Sequence, residues 1–306
     1  MFAYKQKKII KRNEKDLINY YIPDFFWHYN VNIQLMYLLK NEPDLFYDDF
    51  KIGAVFGNFP NCIWNGGGTT QGRFVDVSEQ QGIMLDFLQY DVPLRLTMTN
   101  LMIEEKHLQD SYCNYIMENL NNGVTQVLVS NPVLEQYIRE TYPQYPIVRS
   151  ILAAENIYYD DSDKYFMTVL RKHKNNDFDL LNAIEHKEKV ELLANETCEE
   201  DCPRAYTHYL EFAKQQMYQN NKGEILNTQC SYDRRYNFKK FNESPLCITR
   251  DKIKNVYEPM GFKHFKISGR GSHGSVVNYY AHYMVKPEWT WDFMSMMMDA
   301  IVADNR

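Results

Sequence analysis

No apolar run in this 306-residue sequence approaches the ~20 residues that a membrane-spanning helix requires. The first thirteen residues are rich in lysine but lack the apolar centre and small-residue cleavage site of a secretory signal. A cytoplasmic protein without membrane spans is the expectation. An excess of positive charge is missing too. Thirty-four Lys and Arg stand against 40 Asp and Glu, a net charge of −6, so no global field draws the chain to nucleic acid or anionic lipid. Glycine (13) and proline (11) are sparse, and there is no low-complexity stretch, internal repeat or flexible linker. Cysteine is scarce, at six. In a reducing compartment and a chain of this length, cysteines are expected as ligands or core residues rather than as disulfides.

What is present is a regular alternation of short apolar runs and helix-length segments. Strands are predicted at 51–56, 94–99, 124–129, 146–150, 165–170, 190–194, 245–248 and 262–267. Such runs suit strands covered on both faces of a parallel sheet. Helices are predicted at 78–89, 109–120, 132–141, 178–186, 203–220, 250–260 and 275–284. Asn131-Pro132 sets a cap residue before proline at the first helical position, and Gly261 sits where the 250–260 helix should stop. Eight strand–helix units point to an α/β fold, a (β/α)8 TIM-like barrel over 51–285. An open doubly wound sheet is the alternative, but no glycine-rich phosphate fingerprint follows the first predicted strand. Residues 1–50, with the aromatic run Phe25-Phe26-Trp27-His28-Tyr29, read as an N-terminal helical extension; 286–306 read as a C-terminal helix packed on the barrel.

Barrels of this kind keep their chemistry at the C-terminal strand ends. The residues just past the predicted strands include Asn65, Asn100, Glu196, Cys198, Cys202 and His273. For each alone, a loop cap or turn residue is the plainer reading; their concentration on one face singles them out. Cys198 and Cys202 are spaced to place two thiolates on one metal, while Cys230 and Cys247 follow after 27 and 16 intervening residues, a spacing that matches no zinc finger or ferredoxin run. The competing reading is two solvent-side thiols and two core cysteines. Cys113, in mid-helix, fits a core role, and Cys62 is an alternative to Cys247 as fourth ligand. His208, early in the helix after Cys202, faces the cysteines or covers the barrel. The segment Lys266-Ile-Ser-Gly-Arg270-Gly-Ser-His273 is a strand ending in a Gly-flanked arginine before a helix. It suits an anionic group held by a guanidinium, or an Arg270 paired with Glu196. No Ser–His–Asp, Cys–His or H-E-x-x-H arrangement is evident.

Val190-Glu-Leu-Leu-Ala-Asn-Glu-Thr-Cys198 with the later cysteines, Pro245-Leu-Cys-Ile-Thr-Arg-Asp-Lys-Ile, and Gly261-Phe-Lys-His-Phe-Lys266-Ile-Ser-Gly-Arg270 resemble stretches of the collagenase-like "peptidase U" family, number thirty-two in its series. That family includes proteins described as proteases and the iron–sulfur proteins of oxygen-independent ubiquinone and RNA hydroxylation. The resemblance spans roughly 51–285. It differs in the closer spacing of the first cysteine pair and in Ser268, where the family carries glutamate. It implies a TIM-like barrel and a [4Fe–4S] cluster on Cys198, Cys202, Cys230 and Cys247, with zinc as the alternative metal. The implied reaction is hydroxylation, or another modification, of a small-molecule or RNA-base substrate without O2. Glu196, His208 and Arg270 would be catalytic, and Asn65, Asn100, Arg270 and His273 would bind substrate. A metal-dependent peptidase is the second expectation. A non-enzymatic subunit with a homo- or heterodimer partner is the third.

Overall fold

Eight short parallel strands close on themselves in chain order. They are β1 (Ile18–Pro23), β2 (Phe50–Gly57), β3 (Leu94–Met98), β4 (Gln126–Val129), β5 (Ile147–Arg149), β6 (Met167–Val169), β7 (Val190–Leu193) and β8 (His264–Lys266). The computed structural model describes residues 17–66, 72–152, 163–196, 198, 202, 204–218, 238–269 and 272–305. The expected (β/α)8 barrel is therefore present, with a different first strand. Residues 18–23, assigned from the sequence to a helical extension, pair in parallel with both β2 and β8 and close the ring. Conversely, 245–248 forms no strand. With β1 in place, eight positions are filled, and this segment joins the sheet end only where Ile248 N donates to Ala194 O (2.8 Å). Ser244 turns the chain before it, its carbonyl accepting from Cys247 N and its hydroxyl from Leu246 N.

The run Ile-Asn-Tyr-Tyr-Ile-Pro of β1 is β-branched and aromatic, as a strand packed on both faces should be. Its register to β2 slips between Tyr20 and Tyr21. The slip passes Gly53, where an added Cβ would stand 2.8 Å from the Tyr21 ring. Glycine is needed there because the aromatic ring occupies the space of a side chain.

Helices cover the outside. After β1 comes α1 (Tyr29–Asn41), after β2 α2 (Val77–Leu88), after β3 α3 (Ser111–Asn119), and after β4 α4 (Pro132–Thr141). Then follow α5 (Phe178–Ala183) and α6 (Ala205–Tyr218) on either side of β7. Before β8, one helical stretch comprises α7 (Arg250–Lys252), a π turn (Ile253–Tyr257) and α8 (Glu258–Met260). As expected, Asn131 caps α4, accepting from Val133 N and Leu134 N, and Gly261 ends α8 at φ 106°. The chain closes with α9 (His273–Met284), α10 (Thr290–Met296) and α11 (Met298–Asp304). The C-terminal residues are thus two short helices, and their anchor is α1: Asp304 accepts from Asn30 N and Val31 N, both at 2.9 Å. A carboxylate at a helix N-terminus satisfies orphan donors and opposes the helix dipole.

The main core lies between strands and helices, with Tyr20, Ile22, Leu96, Val127, Leu192 and Phe265 buried there. A second apolar set, including Tyr21, Ala54, Leu128, Val148 and Val169, fills the barrel axis. Across that axis runs a charged layer. Arg95 donates from Nε to Gln126 Oε1 (2.8 Å) and from Nη1 to Glu191 Oε2 (2.6 Å), both side chains of the ion pair being fully buried. The Arg95 guanidinium lies 4.0 Å from the Tyr21 ring centroid, and the Tyr21 hydroxyl is 2.9 Å from His264 Nδ1. Burial pushes His264 down to about 4 and leaves it neutral, with Glu191 opposing that shift. This layer is the floor on which the mouth of the barrel rests.

Candidate active site

A cavity of about 540 Å³ opens at the C-terminal ends of the strands. Its walls include Phe56, Leu128, Ile151, Val169 and Leu193, and its polar groups are chiefly amides and hydroxyls: Asn58, Asn65, Thr97, Thr99, Ser150 and Ser268. Tyr209 of α6 and Trp27 and His28 from the loop after β1 complete the rim. The polar groups are held in place. Thr97 Oγ1 donates to Asn65 Oδ1 (3.0 Å), and Asn58 Nδ2 donates to Thr97 O (2.9 Å). The Ser268 amide donates to Asn195 Oδ1 (2.7 Å), while Asn195 returns a bond to Ser268 O (3.0 Å).

Two charged side chains line this space, Asp24 and Lys266. Asp24 sits at the end of β1 with φ 54°, its Oδ1 accepting from Trp27 N (2.8 Å) and Phe26 N (3.2 Å). Burial outweighs those bonds and pushes its carboxyl up to about 6. Lys266 ends β8, in register with Tyr21 on one side and Leu193 on the other. Its Nζ lies 3.8 Å from the Phe56 ring centroid. Burial brings the amine down to about 8; nearby Glu191 opposes the shift and Arg95 adds to it.

Behind the rim, His28 Nδ1 and His273 Nδ1 are 2.7 Å apart, and the exposed Trp27 ring stacks on His273 at 5.5 Å. Asp304 Oδ2 is 3.8 Å from His273. Burial, reinforced by His273, pushes His28 down to about 4. Burial also lowers His273, although Asp304 opposes that shift. The two imidazoles are neutral near pH 7, one donating to the other.

Of the residues singled out from the sequence, Asn65 lines the cavity. His273 stands one residue behind it, through His28. Asn100 is fully buried and ties loops together, donating to Ile63 O (2.8 Å) and Ala213 O (3.2 Å) rather than facing the mouth. Glu196 is buried at the end of β7, its Oε1 accepting from Cys198 N (2.8 Å). His208, half-buried on α6, stacks on Phe212 with centroids 4.6 Å apart. Cys198 and Cys202 are half-buried. Cys230 and Arg270 lie outside the described residues. Cys247 is 1% exposed, its Sγ 3.7 Å from the Tyr283 hydroxyl, and burial raises its thiol. Cys62 is the partner of Cys113, with Sγ atoms 3.4 Å apart in the core behind β3. Among the described residues no three His, Cys, Asp or Glu side chains gather as metal ligands. Nor is any helix among them long and apolar enough to cross a membrane.

Asp24, His28, Thr97 and Lys266 escaped the sequence reading. In the sequence Lys266 sits in a segment whose Gly-flanked arginine is the more prominent signal. Asp24 and His28 lay in residues not counted as barrel, although the aromatic run around them was visible.

No family model matches the chain, and no curated protein matches it. Among solved structures, that of the U32 peptidase Mk0906 is similar, with a TM-score of 0.51 over 89% of this chain and 99% of that one, at 13% identity. The chain has a U32-peptidase-like barrel fold.

Proposed function

We propose that this chain is a barrel enzyme that binds a small organic molecule in the mouth cavity and transforms it there. One observation carries the reading: a half-open cavity with apolar walls, fixed amide and hydroxyl groups and, among the described residues, a single amine, at the end of the barrel where barrels keep their chemistry. Asn65, Thr97 and Ser268 would hydrogen-bond a flat or polyhydroxylated ligand, and Trp27 and Tyr209 would cover it. A fold likeness at 13% identity carries no activity, so peptide hydrolysis does not follow from it.

Screening a panel of small metabolites by thermal shift tests the reading. Stabilising compounds are expected for the wild type, with the shift lost in Ser268→Phe, which fills the mouth. If every stabilising compound acts equally on both proteins, the cavity is not the binding site.

A second reading, iron–sulfur oxidoreduction, is favoured by the position of Cys198 and Cys202. Their loop joins β7 to α6, two elements that both contribute to the cavity wall, through Leu193 and Tyr209. With Cys230 and Cys247 they would hold a cluster beside the substrate, provided that Cys247 leaves Tyr283. Anaerobically purified protein should then contain iron and absorb near ~400 nm. Iron-free anaerobic protein removes this reading.

A further inference from the structure

Lys266 differs from the six described lysines that pair with a carboxylate, and it is the described lysine that lines the cavity. Lys106, Lys164, Lys174, Lys189, Lys254 and Lys263 each lie within ion-pair distance of a carboxylate. Lys266 makes no ion pair with any described residue; its amine rests against the Phe56 ring, inside the cavity. Glu191, the acid that acts on this amine electrostatically, is engaged by Arg95 at 2.6 Å. The amine thus stands in the cavity with no carboxylate of the described residues in ion-pair contact, although Glu191 favours its charged form from further off. Such an environment favours the neutral, nucleophilic form of a lysine.

We propose that Lys266 is the nucleophile of the mouth cavity and forms an imine with the carbonyl group of an aldehyde or ketone substrate. This inference rests on the mouth being the substrate site. The Nζ lone pair adds to the carbonyl carbon, and the C=O π electrons move to oxygen, which takes up a proton as nitrogen loses one. The resulting carbinolamine breaks its C–O bond, the oxygen leaving as water, and Nζ becomes doubly bonded to carbon as a protonated imine. The balance is amine plus carbonyl plus a proton giving iminium plus water, with nothing oxidised or reduced. Thr97, Asn65 and Ser268 line the same space and supply hydrogen-bonding groups for the carbonyl oxygen and for substrate hydroxyls. Leu128, Val169 and Leu193 keep the space around the amine apolar.

The neutral fraction sets the expected size of the effect. An amine near 8 has about two orders of magnitude more free base at pH 7 than one at 10.5. Some of that gain is offset by lower basicity and narrower access.

The test is reductive trapping on the full chain. Glyceraldehyde and benzaldehyde are each supplied with cyanoborohydride, and every lysine is followed by peptide mass mapping. Lys266 is expected to be alkylated at least about tenfold faster than the median lysine at pH 7. Its rate should rise with pH through an inflection near 8. Lys266→Arg and Lys266→Met should lose the fast site only. If either variant fails to fold, the site-resolved pH profile of the wild type decides alone. Alkylation of Lys266 no faster than that of exposed lysines overturns the proposal. So does protection of Lys266 by simple carboxylates without any trapped carbonyl, which would make it an anion-pairing ammonium. Ligands that still distinguish wild type from Ser268→Phe would, in that event, leave the cavity as a binding site. Fast trapping that persists unchanged in Ser268→Phe overturns the cavity reading instead.

Discussion

Two cations lie inside this barrel, and their surroundings could hardly differ more. Arg95 is fully buried and receives what a buried charge needs: a carboxylate, an amide oxygen and the face of an aromatic ring. Lys266, on β8, receives among the described residues the ring of Phe56 and no ion pair. A buried guanidinium with such partners holds the architecture, since its planar donors fix Glu191 and Gln126 across strands β3, β4 and β7. A half-buried amine without such partners is costly to keep charged and is available for chemistry. The difference teaches that charge inside a barrel is not itself a functional mark; the missing partner is.

The strongest way to break the comparison is to give Arg95 the condition of Lys266. Glu191→Ala removes the carboxylate and leaves a guanidinium stranded at the axis, where desolvation is uncompensated. A loss of about 3–5 kcal/mol in urea unfolding is expected. Replacing both partners, Arg95→Met with Glu191→Leu, should recover most of it, because two apolar side chains of similar volume need no pairing. A double variant as unstable as the single one would mean that the pair does more than satisfy itself. One feature favours some asymmetry: Glu191 Oε1 has no hydrogen-bond partner among the described residues, so the pair is not saturated.

The opposite manipulation removes the unpaired charge. The Lys266 amine titrates near 8 in the folded chain, below the ordinary 10.5. The unfolded chain therefore binds more protons between those values, and the wild type should gain stability as pH rises from about 8 to about 10.5. Below 8 the cost of burying the ammonium is fully present. Lys266→Met should match or exceed the wild type at pH 7 by about 1–2 kcal/mol, a figure discounted for water reaching the cavity. It should also lack the alkaline gain. Parallel stability curves for the two proteins from pH 7 to 10.5 would show that the amine is solvated as freely as a surface lysine.

The same contrast explains what the sequence disclosed. The barrel was legible because seven of its strands are short apolar runs followed by helix-length segments, a pattern set by burial on both faces. The first strand hid because Ile18–Pro23 lies beside a lysine-rich start and an aromatic run that resemble a helical extension, and closure of the ring depends on pairing with β8, some 240 residues away. The run 245–248 passed for a strand because apolar content cannot distinguish a buried turn from a strand. Asn65, found by counting past a strand, lines the mouth cavity, whereas Asn100, found in the same way, turns inward to bind backbone carbonyls. Rotation about the strand axis, which decides between those outcomes, leaves no trace in spacing. Lys266 was visible only as a lysine in a strand. That no described carboxylate pairs with it is a property of β2, β7 and β3 as much as of β8, and no local motif records it.

The smallest expected effect is the most discriminating. Tyr21 serves the floor twice, by its ring under Arg95 and by its hydroxyl toward His264. Tyr21→Phe keeps the ring and removes the hydroxyl, so only one buried hydrogen bond is lost and His264 Nδ1 is left without it. A destabilisation of about 0.5–1.5 kcal/mol is expected, with the Arg95–Glu191 pair intact. Because no charge is added or removed, the reductive-alkylation rate of Lys266 should stay within about twofold of wild type, although Tyr21 is its register partner on β1. A larger change in that rate, or a displaced inflection near pH 8, would mean that the floor tunes the amine above it, and the two cations would have to be treated as one electrostatic unit rather than as a scaffold and a reactive group.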